Sequence, residues 1–298
     1  GTYVFCSYVD WEAMEALEAG SIANPDEERM VGHYWLRRPE LAPEQVISDE
    51  ISSEIDLIES FGRDIGNGTI KSPCGQSFTN VLWIGIGGSG LGPMLITRAL
   101  KEVNKGLDFY FLDNVDPVGF KQVFDQIGNS LKTTLFVVVS KSGSTPEPRL
   151  AMDQAKNKLK ASGGCWAGQS VAITMRNSKL DMMAKNENWL HRFDMPDWVG
   201  GRTSITSAVG LLPCALIGSN IRDFLHGAAQ MDGATRIKNI RSNPSALLAA
   251  SWMSSGNECG LRDMVILPYR DQLELFSRYL QQLVMESLGK RKDRNGNI

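Results

Sequence analysis

The feature that most constrains this chain is an alternation of short apolar runs and helix-like stretches that begins at Val81. The runs VLWIGI, DFYFLD, TLFVVVS and SVAIT are short and apolar enough to be buried strands. The stretches between them, 91–103, 117–127 and 146–159, predict helices. Strands that alternate with helices favour a parallel sheet covered on both faces. We therefore predict an α/β fold with a doubly wound parallel sheet in a three-layer αβα arrangement.

The segments on either side of this sheet are predicted to be mainly helical. Asn24-Pro25-Asp26-Glu27 has the composition of a helix start, and apolar residues keep helical spacing from Ile47 to Ile65. After Gly200, three helical stretches precede a strand-like run, DMVILP, and a long helix from Asp271 to Leu288. We expect an N-terminal helical segment (1–75), an α/β domain (76–200) and a helical connector that starts a second, incomplete α/β domain (201–298).

Composition excludes several classes of protein. The net charge of −3 is spread without a basic run, which argues against a nucleic-acid partner. Five separated cysteines without a C-x-x-C pair predict neither a disulfide framework nor a zinc site, and favour a reducing compartment. The sequence contains no apolar run of membrane-spanning length and no signal-peptide pattern. The first residue is not Met, and we expect the chain to be part of a longer protein.

A glycine-rich loop, GIGGSGLG, follows the first predicted strand. Gly85, Gly87 and Gly90 match G-x-G-x-x-G, and Asp113 follows about 20 residues on, as in nicotinamide-binding folds. On this stretch alone, an NAD-dependent dehydrogenase is one hypothesis. The alternative is a tight strand-to-helix turn in which glycine allows close packing.

A second loop, SKSGSTPE, follows the third predicted strand and is rich in hydroxyl groups. We predict Thr145 as a helix N-cap with Pro146 in the first helical position. Backbone N–H groups and hydroxyls could then converge on one phosphate, which suits a phosphomonoester. By itself, the loop is better explained as a Ser/Thr-rich turn that caps a helix, and the glycine-rich loop at the neighbouring strand end favours the phosphate site. The hydroxyl-bearing residues of SKSGSTPE are Ser140, Ser142, Ser144 and Thr145.

A third motif, VGGRTS, places Arg202 after two glycines that allow the backbone to pass close to a ligand. Thr203 and Ser204 are predicted to cap the following helix. The arginine could supply a fixed positive charge to a ligand. An ion pair with a surface carboxylate is the alternative.

A fourth motif, QQLVMESLGK, lies near the end of the last predicted helix. Gln282 and Glu286 are four residues apart and share a helix face, while Leu283 and Met285 are predicted near the core. A partly desolvated Glu286 would be a candidate proton-abstracting base. An exposed surface glutamate is the alternative.

Together and in this order, these motifs resemble the phosphoglucose isomerase family of the sugar isomerase (SIS) domain superfamily. The likeness is greatest to its plastid and cyanobacterial branch and covers nearly the whole chain. It implies that GIGGSGLGP is a sugar-phosphate loop whose match to the dinucleotide fingerprint is coincidental. The segments that carry it are IANPDEERMVGHYWLR, SKSGSTPE, VGGRTSITSAVGLLP and LFSRYLQQLVMESLGK.

The resemblance implies a role for each matching residue in interconverting glucose 6-phosphate and fructose 6-phosphate through a cis-enediol. Arg202 would stabilise the intermediate, Gln282 would position the substrate, and Glu286 would be the base. No metal or redox cofactor is implied. The residues implied to contact the sugar phosphate are Gly88, Ser89, Ser140, Lys141 through its backbone, Ser142 and Thr145.

Two departures from the family pattern fall in the second loop, where Ser144 replaces a glycine and Pro148 a threonine. The family also opens the sugar ring with a lysine and with a histidine from the partner subunit of a homodimer. Both would lie beyond Ile298, and the histidines present do not match, so none is assigned. A catalytically inactive sugar-phosphate-binding module is therefore the second hypothesis. We expect a plastid stromal or cytoplasmic protein that binds neither nucleic acid nor membranes.

Overall fold

The computed structural model describes residues 10–25, 27–102, 105–256, 261–292 and 296. They group into two compact units. The first comprises described residues up to Ile51 together with 222–267, less the gap at 257–260, and the second comprises 52–221 with the described residues from Pro268 onwards. In the described ranges, no helix combines the length and the apolar character that crossing a membrane requires.

The elements are numbered here in chain order. The helices are α1 (Trp11–Glu18), α2 (Gln45–Gly66), α3 (Gly88–Leu100), α4 (Pro117–Ile127), α5 (Pro146–Ala161), α6 (Lys179–Asn186), α7 (Ala208–Leu216), α8 (Ile221–Thr235), α9 (Pro244–Ser255) and α10 (Phe276–Leu288). The strands are β1 (Ile22–Asn24), β2 (Arg29–Met30), β3 (Asn80–Ile84), β4 (Asp108–Leu112), β5 (Thr134–Val139), β6 (Ser170–Thr174) and β7 (His191–Asp194).

The second unit is built on a parallel five-stranded sheet in the order β4-β3-β5-β6-β7. β3 pairs in register with both neighbours, so that Leu82 lies beside Tyr110 and Phe136. Its central strands β3, β5 and β6 are buried along their whole length, as expected for strands covered on both faces. The predicted doubly wound sheet is confirmed.

Helices cover the two faces of this sheet. On one face, Leu82 and Ile84 join a buried cluster with apolar residues of α4, α5 and α6. On the other, Phe61 of α2 packs edge-on against Phe193 of β7. A Cβ on Gly62 would lie 2.5 Å from the Cβ of Ala215, so α2 and α7 are in close contact. The result is the predicted αβα sandwich.

The first unit contains α1, a small antiparallel β1–β2 hairpin, α9 and the parts of α2 and α8 that fall within its ranges. Its centre includes Trp35, which is fully buried, and the carboxylate of Asp232. Arg37 Nη2 lies 2.7 Å from Asp232 Oδ1, and Arg236 Nε donates a hydrogen bond to Asp232 Oδ2. A buried carboxylate paired with two guanidinium groups is the usual way in which such a charge is accommodated.

The helix start predicted at Asn24 is wrong, because residues 22–24 and 29–30 pair as strands. The Asn24 side chain bonds within its own turn, where Oδ1 accepts from the Glu27 N–H and Nδ2 donates to Glu27 Oε2, each at 3.3 Å. Such local bonds favour a turn over a helix. Glu28 completes the turn with a φ of 51°. Asp26, part of the same predicted start, lies outside the described residues.

The strand predicted for DMVILP is also wrong, since no strand forms within 261–270. A strand requires a ladder of hydrogen bonds to a neighbouring strand, and in the described ranges this run belongs to neither sheet. Val265 and Leu267 are exposed as a result. The helix predicted over 271–288 begins instead as a 3₁₀ turn, Asp271–Leu273, and becomes α-helical at Phe276. Whether 1–75, 76–200 and 201–298 form separate domains stays a prediction.

Candidate active site at the carboxyl edge of the sheet

The two candidate loops lie at the switch point of the sheet. Counted from β3, the strand order is 2-1-3-4-5, so the chain leaves β3 towards one edge of the sheet and β5 towards the other. Ligands of open α/β sheets bind at such a point, beyond the carboxyl ends of the strands. The glycine-rich loop follows β3 and the hydroxyl-rich loop follows β5, its neighbour. Two loops that are far apart in sequence are thereby placed at one edge.

Close packing explains two glycines of the first loop. A Cβ on Gly85 would lie 2.9 Å from the carbonyl oxygen of Ser89, and a Cβ on Gly90 would lie 2.7 Å from the carbonyl oxygen of Gly85. The strand order also differs from the 3-2-1-4-5-6 order of dinucleotide-binding folds. Both observations favour a packing role for these glycines and disfavour a nicotinamide site.

Gly88, the first residue of α3, contacts the turn that carries the candidate arginine. A Cβ at this position would lie 2.2 Å from the carbonyl oxygen of Gly201 and 2.9 Å from the backbone nitrogen of Arg202. Any side chain larger than hydrogen would therefore separate the two segments. Gly88 and the adjoining Ser89 are thus held beside Arg202 at the N-terminus of a helix, where backbone N–H groups favour anions.

The second loop folds back on itself through its hydroxyl groups. Ser140 Oγ accepts a hydrogen bond from the Gly143 N–H at 3.2 Å, and the hydroxyls of Ser142 and Ser144 lie 2.6 Å apart. Gly143 has a φ of 66°, and a Cβ there would lie 2.3 Å from the backbone nitrogen of Leu180. The left-handed backbone conformation of this loop is adopted by Gly143, and Ser144 does not need a positive φ. The substitution of this position by serine is therefore compatible with the fold of the loop.

The helix boundary after this loop is as predicted. Thr145 occupies the N-cap position of α5 and Pro146 its first position. Among the described residues, the Thr145 side chain forms no capping hydrogen bond, so its hydroxyl is not used to hold the helix end. Pro148 is buried in the first turn, where the missing N–H disrupts no intrahelical bond.

Lys141 connects the second loop to the segment that leads to the arginine. Its Nζ donates hydrogen bonds to the carbonyl oxygens of Asp197 at 2.6 Å and Val199 at 2.9 Å. The resemblance assigned a role to the Lys141 backbone alone. The structure adds a role for its side chain, which holds the phosphate-binding candidate loop next to the Gly200–Arg202 turn.

Arg202 faces α10 and contacts two of its residues. Its Nη1 lies 2.9 Å from Glu286 Oε2, and its Nε donates to Ser287 Oγ at 3.2 Å. Tyr279 lies on α10 two turns before Glu286, and its hydroxyl donates to the Arg202 carbonyl oxygen at 3.2 Å. Sequence reasoning identified Arg202 and Glu286 but missed Tyr279 and Ser287. Ser287 could have been found from its position next to Glu286.

Gln282 completes the cluster on α10. Its Nε2 donates to Glu286 Oε1 at 3.1 Å, which is the contact that their spacing predicts. The same Nε2 would lie 3.0 Å from a Cβ on Gly87, so α10 approaches the glycine-rich loop. Three segments of the chain therefore meet here: the loop after β3, the Arg202 turn and α10.

The expectation that Glu286 is partly desolvated is wrong. Its side chain is 51% exposed, and its neighbours Met285 and Leu288 are 61% and 69% exposed, because no described residue covers this end of α10. The hydrogen bond from Gln282, followed by the bond from Arg202, holds the pKa of Glu286 below its usual value. The carboxylate is therefore ionised at neutral pH, as a base must be.

The residues predicted to cap the helix after Arg202 have different roles. Thr203 and Ser204 lie inside a 3₁₀ turn, Gly201–Thr206, and Ser204 Oγ donates to the Gly201 carbonyl oxygen at 2.7 Å. Ser207 caps α7 instead, by accepting a bond from the Val209 N–H. The sequence offers four hydroxyl residues within the five positions 203–207, and only the backbone conformation selects among them.

The histidines lie in other surroundings. Burial lowers the pKa of His33 to about 4 in the first unit, and His191 packs against the ring of Phe193. His226 contacts Gln230 on α8. In the described ranges, no group of three or more His, Cys, Asp and Glu side chains is arranged to hold a metal ion.

Comparison with known proteins gives matches over nearly the whole chain. The family model described as Phosphoglucose isomerase matches residues 9–298. The chain is 65% identical to a glucose-6-phosphate isomerase of Prochlorococcus marinus (strain MIT 9313) over 288 residues, which are 97% of this chain and 52% of the relative. It is 66% identical to the enzyme of the same name from Synechococcus sp. (strain CC9605) over 286 residues, 96% of this chain and 54% of that relative. The chain spans about half the length of these curated relatives.

A solved structure is similar over the same extent. The crystal structure of a glucose-6-phosphate isomerase from Chlamydia trachomatis D/UW-3/Cx aligns with a TM-score of 0.84 and 29% sequence identity. The alignment covers 96% of this chain and 55% of that protein.

Proposed function

Since the chain belongs to the phosphoglucose isomerase family, we propose that it carries the sugar-phosphate site and the proton-transfer pair of an isomerase that interconverts glucose 6-phosphate and fructose 6-phosphate. The observation that carries this proposal is the meeting of the glycine-rich loop, Arg202 and Glu286 at one place. The names of the curated relatives support this choice of substrates.

The phosphate group is held by the loop after β5. The hydroxyls of Ser140, Ser142 and Thr145 and the backbone of Lys141 donate to its oxygens at the N-terminus of α5, where the helix dipole favours an anion. Gly88 and Ser89, at the N-terminus of α3, contact the sugar phosphate from the neighbouring strand end. The Lys141 side chain keeps the two regions together.

The sugar carbons lie between Arg202 and α10. The Glu286 carboxylate accepts the proton of C2 from the open-chain aldose and returns it to C1, through a cis-enediol intermediate. Arg202 stabilises the negative charge that develops on the oxygens, and Gln282 orients Glu286 and the substrate. General-base catalysis typically contributes about 10²–10⁴-fold, and each oxyanion donor about 10²–10³-fold. One proton moves from C2 to C1, while O1 gains a proton and the O2 hydroxyl loses one, so the reaction is redox-neutral overall and requires neither a metal nor a redox cofactor.

Ring opening requires a histidine and a lysine that the resemblance implies and that no residue of this sequence matches. We assign the histidine to the partner subunit of a homodimer. The intact protein works in the plastid stroma or the cytoplasm. On this basis the 298-residue chain binds fructose 6-phosphate but turns it over slowly or not at all.

Two measurements test the proposal. Calorimetric titration of the chain with fructose 6-phosphate is expected to show binding that fructose without phosphate does not reproduce. A chimera, in which the chain replaces the segment it matches in the P. marinus relative, is expected to convert fructose 6-phosphate in a coupled assay. Binding without turnover in the chimera would favour the second hypothesis, a sugar-phosphate-binding module. Absence of binding to the chain would contradict the assignment of both loops.

A further inference from the structure

A cysteine lies at the tip of a tight turn away from the candidate active site. Ser72, Pro73, Cys74 and Gly75 form this turn, in which the Gly75 N–H donates to the Ser72 carbonyl oxygen at 2.8 Å. Gly75 has a φ of 81°, which a glycine tolerates without strain. The turn precedes β3, so it lies at the amino edge of the sheet, whereas the candidate active site lies at the carboxyl edge.

The surroundings of Cys74 favour its thiolate. The thiol is exposed, and its Sγ lies 3.0 Å from the hydroxyl oxygen of the buried Ser72. This hydrogen bond is the main cause that lowers the pKa of Cys74, and the charge of Lys132 acts in the same direction. An exposed thiol that is readily ionised is the form that reacts with oxidants.

A second exposed cysteine lies next to the same turn. Pro73 Cγ lies 2.6 Å, and Cys165 Sγ 3.8 Å, from the position that a Cβ on Gly168 would occupy. The Pro73 ring and the Cys165 sulfur therefore flank one glycine, and Cys74 is the next residue in the turn. Both thiols are exposed, in contrast to the buried Cys214.

Residues 131–134, which precede and begin β5, connect the two thiols. Cys74 Sγ lies 3.6 Å from the Lys132 carbonyl oxygen. The buried Gln169 accepts from the Cys165 N–H at 3.3 Å and donates to the carbonyl oxygens of Leu131 and Thr134 at 2.9 and 2.8 Å. Cys74 thus contacts this segment directly, and Cys165 is linked to it through Gln169.

We propose that Cys74 and Cys165 are a redox-responsive thiol pair that a hydroperoxide converts into an intramolecular disulfide. The Cys74 thiolate attacks one oxygen of the O–O bond, forms a sulfenic acid and releases an alkoxide or hydroxide that takes up a proton. The Cys165 thiol then attacks the Cys74 sulfur, and the S–S bond forms as water leaves. Two thiols are oxidised by two electrons and the peroxide is reduced by two.

The bond would link the turn before β3 to the loop before β6. It would close a long loop of chain, residues 74–165, which contains both candidate loops, although the bond itself would lie at the amino edge of the sheet. A cross-link of this kind stabilises mainly by restricting the unfolded chain, and we expect oxidation to raise the unfolding temperature by roughly 5–10 °C.

Peptide mapping after oxidation tests the proposal on the whole chain. The chain is treated with hydrogen peroxide, its remaining thiols are blocked with N-ethylmaleimide, and trypsin then separates peptides 72–98 and 161–176, which contain Cys74 and Cys165. The expected result is a linkage between these two peptides that dithiothreitol reverses. A background with Cys6→Ser and Cys259→Ser excludes disulfides with those two residues.

Single variants distinguish the two roles. In Cys165→Ser, the sulfenic acid on Cys74 persists and is trapped by dimedone, whereas in Cys74→Ser the labelling of Cys165 falls about tenfold or more. Cys214→Ser, at a buried thiol whose pKa burial raises to about 11, is the control and leaves the linkage unchanged. Linkage of Cys74 to another cysteine, or survival of both thiols at peroxide levels that oxidise exposed Cys in general, would overturn the proposal.

Discussion

The guanidinium of Arg202 lies 2.9 Å from the Glu286 carboxylate, although the two residues are 84 positions apart in the chain. Arg202 is held by the close approach of Gly88 to Gly201, and Glu286 is held by Gln282 on the same helix. A base and a cation fixed side by side can take a proton from one carbon and stabilise the charge that this creates on the neighbouring oxygen. The following predictions concern this pair and the elements that place it.

Substitution Glu286→Gln removes the base but keeps an acceptor for Gln282. In the chimera, we expect kcat to fall by about 10²–10⁴-fold with a small change in KM, because the phosphate contacts are intact. Steady-state kinetics measure both. Glu274→Gln is the matched control, since it removes the exposed Arg98–Glu274 ion pair near the start of the same segment and should leave kcat unchanged. Equal losses in the two variants would contradict the role of Glu286.

Substitution Arg202→Lys keeps the positive charge but loses the planar fork. A lysine cannot contact Glu286 and Ser287 at the same time, as the two nitrogens of Arg202 do. We expect kcat to fall by about 10²–10³-fold while binding of fructose 6-phosphate weakens much less. Arg98→Lys serves as the control. A lysine variant with normal kcat would show that charge alone is sufficient.

Substitution Gly88→Ala introduces a Cβ that would lie 2.2 Å from the Gly201 carbonyl oxygen. The Arg202 turn must then move, so we expect weaker binding of fructose 6-phosphate, by about tenfold or more, and a lower unfolding temperature. Gly66→Ala is the control, because a Cβ there has no atom within 4 Å among the described residues. Calorimetric titration and thermal unfolding of both variants decide the outcome. Unchanged binding of fructose 6-phosphate in Gly88→Ala would contradict the assignment of the glycine-rich loop to the site.

The partly buried Glu54 predicts a dependence of stability on pH. Burial raises the pKa of Glu54 to about 7 from 4.5, although its Oε1 accepts the Asp194 N–H at 2.8 Å. Between these values the folded chain binds more protons than the unfolded chain, so this group's contribution to stability falls as pH rises from about 4.5 to about 7.

Substitution Glu54→Gln keeps the Oε1 acceptor and removes the ionisation. The free energy of unfolding of the variant minus that of the unsubstituted chain should increase from about pH 5 to about pH 8, by on the order of 3 kcal/mol. Urea unfolding at intervals across this range measures the difference. Asp125→Asn, at an exposed position, is the control. If this difference decreased as pH rises, the pKa of Glu54 would be lowered in the folded chain, which would contradict the prediction.

Most of the sheet could be predicted from the sequence because buried parallel strands are continuous apolar runs, as in β3, β5 and β6. The edge strand β7 was missed, since HRFD buries Phe193 fully but leaves Arg192 exposed. The hairpin at Asn24 was mistaken for a helix, because the same residue types cap helices and close turns. Local pattern cannot decide that choice.

The sequence predicted which residues belong to the candidate site, but it did not predict most of the contacts between them. Spacing on one helix was sufficient to pair Gln282 with Glu286. In contrast, the approach of Gly88 to Gly201 and the bonds from Lys141 to Asp197 depend on how distant segments fold together. The exposure of Met285 likewise depends on what covers α10, and the sequence of a single helix does not contain that information.

Solvent-deuterium incorporation tests the central claim most directly. The chimera and its Glu286→Gln variant are incubated with fructose 6-phosphate in deuterated water, and the appearance of deuterium at C2 of glucose 6-phosphate is followed by NMR. Proton transfer through Glu286 predicts incorporation by the chimera and a rate lower by about 10²-fold or more in the variant. Incorporation at the same rate in both proteins would contradict the assignment of Glu286 as the base.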